Sequence, residues 1–254
     1  MNRKEQKLLV ETAALAGELM LSSGAETFRA EDTMAHILRK GTTGQVTPLA
    51  LTTSILVTLE NEDQEPLTIV RRVRSGSTKL SHIVRINEIS RDFCDDKITL
   101  EQAYYQLNHL NNNEYNSIIY SIATIGTCAG FALFFGGSLI DTAAAALIGT
   151  LLALIITLSQ KYHLHGFIMD CITCASMAFL CSILKNTIMT EIDTDIVIIS
   201  GIMPLVPGVA ITNAVRDTLQ GDYISGSART LEAFLKAASI GVGVGIGVML
   251  YRFL

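Results

Sequence analysis

Apolar residues recur at helical spacing over residues 4–21, where Leu8, Leu9, Ala13, Ala16, Leu19 and Met20 share one stripe. Ser22-Ser23-Gly24 breaks it. Ser23 followed three residues on by Glu26 predicts a capping box, opening a second helix that runs to Lys40 and stops at Gly41. Over residues 48–60 the period falls to two. Leu49, Leu51, Ile55, Val57 and Leu59 alternate with Ala50, Thr52, Ser54, Thr58 and Glu60, which predicts one half-buried strand. Residues 61–65 are a polar turn, and Leu67–Val73 is a partner strand. Arg71 interrupts its apolar face, so that strand is expected at an edge. Two helices follow, over 79–93 and 99–110, the second capped by Thr99 with Gln102 at its third position. The expected order is α-α-β-β-α-α.

From Ile118 the pattern changes. Runs at 118–135 and 142–159 carry no charge, and 166–184 carries only Asp170. The run 196–215 is uncharged but holds Pro204 and Pro207, and 231–254 is apolar apart from Glu232, Lys236 and Arg252. A bilayer crossing needs about 20 apolar residues, and five such runs in succession exceed what one small soluble core can bury. The expected fold is therefore a small soluble α+β domain, residues 1–112, followed by a membrane all-α bundle of about five transmembrane helices, residues 113–254.

Charge sharpens this division. Residues 1–112 hold thirteen Lys/Arg and fifteen Asp/Glu, whereas 113–254 hold six and nine. The chain carries a net charge of −5, which argues against nucleic acid, whose phosphates demand a basic face. The opening MNRKEQKLLVETAALAG has no continuous apolar core, since Glu5, Glu11 and Glu18 interrupt it, so it does not read as a signal peptide. The first domain is accordingly expected in the cytoplasm of a multi-pass inner-membrane protein. Lys161, Arg216 and Arg229 then fall inside and Lys185 and Arg252 outside, a weak positive-inside bias. Five crossings place the C-terminus outside.

Candidate chemistry concentrates in the membrane half. An ionisable group inside a span is costly unless it faces a cavity or a partner. Asp170 sits about 6–8 Å into the third span, where a carboxyl can carry a proton or bind a cationic group; an interfacial Asp hydrated from the cytoplasmic side is the plainer alternative. Asp141 opens the second span, and satisfying free helix amides accounts for it. Pro204-Leu205-Val206-Pro207-Gly208 should break the fourth span, exposing backbone groups as discontinuous transporter helices do; a ligand-free kink is the alternative. Asn213 and Asp217, four apart on one face, extend a polar path or mark the helix end. Gly241, Gly243, Gly245 and Gly247 permit close helix packing. Cys171 and Cys174 form a C-x-x-C, but no second ligand pair completes a metal site, so small packing residues are the better reading and no metal or cofactor is expected. In the first domain Glu26, Arg29, Thr33, His36 and Lys40 line one face of the second helix, as a solvated face does. A hydrolase-like site using Glu26, Glu31 and Asp32 has no supporting nucleophile or ligand spacing.

Two motifs carry a resemblance. Residues 23–32, Ser-Gly-Ala-Glu-Thr-Phe-Arg-Ala-Glu-Asp, resemble the N-terminal signature of the threonine/serine exporter family, in which Glu26, Arg29, Glu31 and Asp32 fall. Residues 204–208, Pro-Leu-Val-Pro-Gly, resemble its membrane motif. The resemblance covers essentially the whole chain. Full-length members continue through a second set of spans, so the chain looks like the shorter member of a two-component form. The resemblance implies a subunit of a secondary exporter, driven by proton motive force, for threonine, serine or a dicarboxylate such as succinate. It implies a second small membrane subunit as partner; the residues themselves make Asp170, Pro204, Pro207, Gly208, Asn213 and Asp217 the candidates along the substrate or ion pathway. A membrane-tethered enzyme is the alternative, and a scaffold or sensor a third reading.

Overall fold

The structure is a computed structural model that describes every residue except 1, 62–63, 75, 77, 111–115, 163–165 and 254, with backbone alone at 64 and 159–162. The chain divides into two units: residues 1–112 with 208–231, and residues 113–207 with 232–254. The segment 208–231, expected in the membrane bundle, groups with the first 112 residues.

In the first unit, α1 (Arg3–Ser22) is the central element. Leu9, Val10, Ala13, Ala14 and Ala16 are fully buried, so this helix is apolar around most of its circumference, as a helix enclosed by neighbours should be. Asn2 and Glu5 cap its start reciprocally. α2 (Thr27–Gly41) packs against it closely, because Gly17 leaves room for Met34: a Cβ at Gly17 would lie 2.5 Å from the Met34 sulfur.

Three strands, not two, form an antiparallel meander: β1 (Gln45–Leu51), β2 (Ser54–Asn61) and β3 (Gln64–Arg72). The stretch 48–60 predicted as one strand turns at Thr52-Thr53, where Leu51 pairs with Ser54. The turn restarts the alternation. Ala50 therefore points inward opposite Ile55, and Leu49 outward at 45% exposure. Ile55, Val57 and Leu59 line the inner face of β2 as expected. Both strands reach into the expected turn at 61–65, since β2 runs to Asn61 and pairs there with Gln64, the first residue of β3; residues 62–63 lie outside the described ones. β3 is an edge, and its inward Arg71 pairs with Glu18 of α1 at 2.9 Å. An ion pair at the rim thus accommodates the charge that broke the apolar pattern. Helices α3 (Leu80–Cys94) and α4 (Leu100–Asn108) complete this part, with the predicted Thr99–Gln102 capping box in place.

The second unit holds α5 (Ser117–Phe134), α6 (Leu139–Tyr162), α7 (Gly166–Thr187), α8 (Thr194–Ile202) and most of the last helix, α10 (Tyr223–Arg252). Among the described residues four helices are long and apolar enough to cross a bilayer, and a fifth crossing results if the broken pair around residue 206 is one span. Helix directions bear on the choice between four and five. α8 runs antiparallel to α7: the Cys181 thiol faces the Thr194 carbonyl, and Gly201 lies against Met177. α10 runs parallel to α7, with Gly243 against Cys171 and Gly247 against Ala175. These directions are the ones expected if the broken pair is a fifth span. α8 and the turn after it, twelve residues, span about 18 Å at helical rise. The turn between α5 and α6 closes on Gly136 at φ +82, a left-handed conformation that favours glycine.

Candidate functional site

Each unit brings together part of the predicted set. In the second, α8 ends at Ile202 and tightens into a 3₁₀ turn, Met203–Leu205. Val206 is extended at φ −61, ψ 128, the conformation that a following proline enforces by clashing with an α-helical predecessor. Helix α9 (Gly208–Leu219) begins immediately after Pro207. The helix is thus interrupted where Pro204, Pro207 and Gly208 predicted it. Asp170, in the second turn of α7, is half-buried, and Lys236 of α10 is near enough for its charge to act on the carboxylate. Asp141 is fully occupied structurally: it accepts from the Ser138 amide and hydroxyl at 2.8 Å each and from the Asp193 amide at 2.7 Å, tying the start of α6 to that of α8.

In the first unit the structure joins residues almost 200 positions apart. Helix α2 starts one residue after Glu26, which makes no side-chain cap, and Ser23 ends α1 instead of opening α2. The predicted capping box is therefore absent. Its place is taken by Asp217 of α9, whose Oδ1 accepts from the Thr27 amide at 3.2 Å and the Thr27 hydroxyl at 2.9 Å. A carboxylate here both satisfies a free amide and opposes the positive end of the α2 dipole. Arg229, in the first turns of α10, faces the other oxygen of Asp217 at 3.0 Å and donates to the Ala25 carbonyl at 2.7 Å. Asn213 donates to the Gly24 carbonyl at 2.8 Å, and Arg216 pairs with Glu26. Gly24 sits at φ +84, so the turn that offers these carbonyls is one that a side chain would strain. Asp217 is fully buried and the Arg229 side chain is 11% exposed. Removing one member of such a pair costs about 3–5 kcal/mol, because the survivor is left buried and unpaired.

Glu31 lies near this cluster and accepts from the Ala50 amide at 2.9 Å, fastening β1 to α2. Burial raises its carboxyl above the ordinary value of 4.5, aided by Asp222 and Asp217 and opposed by the Ala50 hydrogen bond. A raised carboxyl pKa favours the protonated folded form, so folding loses stability as pH rises from 4.5 through the shifted value. Glu31→Gln keeps an acceptor for Ala50 and removes the charge. It is expected to raise the melting temperature of the protein at pH 7 and to make no difference below about pH 4.5; thermal unfolding across pH checks this. Arg29 and Asp32 are exposed and join neither cluster. Thr33 is buried and donates to the Arg29 carbonyl, so the predicted polar stripe on α2 loses its middle member.

Sequence reasoning missed Thr27, Arg216 and Arg229. Their signal is weak: a lone arginine opening an apolar helix, and an aspartate twelve residues before it. Among the described residues no group of three or more His, Cys, Asp or Glu is arranged to hold a metal ion.

A model of the family described as "Putative threonine/serine exporter" matches residues 11–251. The chain is 25% identical over 246 residues to the "Probable threonine/serine exporter" of Mycobacterium tuberculosis, a match covering 96% of this chain and 46% of that protein. The chain thus spans about half the length of that relative. No solved structure matches it.

Proposed function

The chain belongs to the threonine/serine exporter family, and from that premise we propose that it is one subunit of a secondary exporter for small polar carboxylates: threonine and serine, or a dicarboxylate such as succinate. The observation that carries this reading is the interruption at 203–207 in an otherwise apolar helix pair. An anchor for a soluble enzyme has no use for a broken membrane helix, whereas a transporter uses the freed backbone groups to meet substrate. Asp170 is the candidate for a coupling proton, with Pro204, Pro207 and Gly208 along the substrate path. We propose that the N-terminal domain lies in the cytoplasm, a placement supported by the slight excess of Lys and Arg in the loops that would share its side.

The number of spans supports a partner. Five passes is odd, so a similar half joined in sequence would be inverted in the bilayer, and inverted halves hold substrate between them. The relative is about twice as long. We propose that a second small membrane subunit supplies such an inverted half. Proton-gradient-driven export of a panel of amino acids and dicarboxylates tests this, with the chain alone, the second subunit alone and both together in liposomes. Export of at least one carboxylate by the pair, and little by either alone, is expected. Robust export by this chain alone would remove the partner from the reading, and no export by any combination would remove the exporter.

A further inference from the structure

We propose that the N-terminal domain is the fixed anchor of the helix hairpin that follows the break, and that Asp217 and Arg229 are the positioning residues that fasten it. This rests on the exporter reading for its functional consequence. The hairpin consists of α9, the turn at 220–222 and the first turns of α10. It is closely built: Gly226 lies so near Thr218 and the Ala214 carbonyl that a side chain there has no room. The Asp222 carboxylate accepts from the Ser225 amide at 3.0 Å and closes the turn. α9 and the first turns of α10 therefore form one piece.

Four side chains hold that piece to one short stretch of the domain. Asn213 reaches Gly24, Arg229 reaches Ala25, Arg216 reaches Glu26 and Asp217 reaches Thr27. Consecutive residues 24–27 are each met by a different residue of the hairpin. Such a row fixes both the position and the rotation of α9, which a single contact does not. Three of the four hairpin residues, Asn213, Asp217 and Arg229, are buried. Inside this buried network Asp217 Oδ2 and Arg229 Nε are joined as an ion pair at 3.0 Å without a hydrogen bond between them, while the Asp217–Thr27 and Arg229–Ala25 hydrogen bonds fasten its ends. The arrangement also explains why α2 lacks a cap of its own: its first amide is reserved for Asp217.

The hairpin begins at Gly208, directly after the extended Val206 and Pro207. The hairpin side of the break is thus anchored on the domain. The domain's role in transport is then mechanical: it sets where the far side of the break is held. The signature residues 24–27 serve this contact rather than a catalytic site.

The test uses the full chain together with its second subunit. Asp217→Ala removes the cap acceptor and leaves Arg229 unpaired. Asp217→Ala combined with Arg229→Leu removes the orphaned charge as well, so a stability loss caused by that charge is recovered. The readouts are hydrogen exchange at the Thr27 amide and along α9, the melting temperature, and export of whichever carboxylate the wild-type pair exports. In the double variant we expect melting close to wild type, exchange at Thr27 and α9 faster by at least tenfold, unchanged exchange in the α1 core, and export reduced at least tenfold. Wild-type export by the double variant, with α9 exchanging rapidly, would overturn the anchor. Slow exchange at Thr27 in the double variant would overturn the assignment of Asp217 as its fastening. Failure of the wild-type pair to export anything would sink the exporter reading instead, and the exchange data would still decide whether the hairpin is anchored.

Discussion

Leucine at both Gly243 and Gly247 is expected to disrupt the membrane unit, whereas leucine at both Gly241 and Gly245 leaves it intact. The four glycines alternate along α10, and a helix with 3.6 residues per turn sorts them into two pairs, each four residues apart. A Cβ at Gly243 would collide with the Cys171 carbonyl oxygen, and one at Gly247 with the Ala175 carbonyl oxygen. These are backbone atoms of α7, which cannot swing aside as a side chain does. The two helices would have to separate, losing the contacts of Cys174 and Ala178, both fully buried. Overpacking of this kind costs on the order of 1–3 kcal/mol at each site, and association of helices in lipid depends on such packing because lipid tails offer no hydrophobic gain. A Cβ at Gly241 or Gly245 meets nothing within 4 Å. Thermal unfolding in detergent and size-exclusion profiles of the two double variants check the contrast. Equal behaviour of the two pairs would contradict the α7–α10 contact and, with it, the five-pass count.

The spans were legible because a bilayer demands long uncharged runs, and nothing else in a chain of this size produces five. The break was legible because proline and glycine act locally, on the residue before and the turn around them. Features that depend on distant partners were not. The pattern Ser23…Glu26 has the spacing of a capping box, yet the acceptor at the start of α2 comes from Asp217, and no local rule reaches across 190 residues. The turn at Thr52-Thr53 lacks the glycine, proline or asparagine that announces hairpins. The alternation therefore reads as one strand, and its second half keeps the right face while its first half does not. The run 196–215 is uniformly uncharged, which predicts a single span. Its polar residue Asn213 faces the Gly24 turn, while Val209, Ile211 and Val215 lie outward. Asn213 and Asp217 were thus visible as a shared helix face, but not what that face meets.

Replacing Pro207 and Gly208 together by alanine is expected to reduce export by more than tenfold while membrane insertion stays normal. The extended conformation of Val206 exists because Pro207 follows it. With alanine at 207 that clash disappears, and residue 206 is free to enter the α region. Alanine at 208 further favours helix over glycine by about 1 kcal/mol. Helix then propagates from the 3₁₀ turn into α9, since each added residue gains a hydrogen bond without a new nucleation cost. The backbone groups that the break leaves unpaired become committed to one another, and the site offered to a carboxylate is lost. Pro204 remains, so the variant retains a bend at the 3₁₀ turn and separates that bend from the break. Insertion should persist because the run is no less apolar than before. Amide exchange at 206–208 reports whether the helix has closed. Closed helix with full export would reduce the motif to a bend without contact to substrate, and reduced export with the helix still open would place the effect in the side chains of Pro207 and its neighbours.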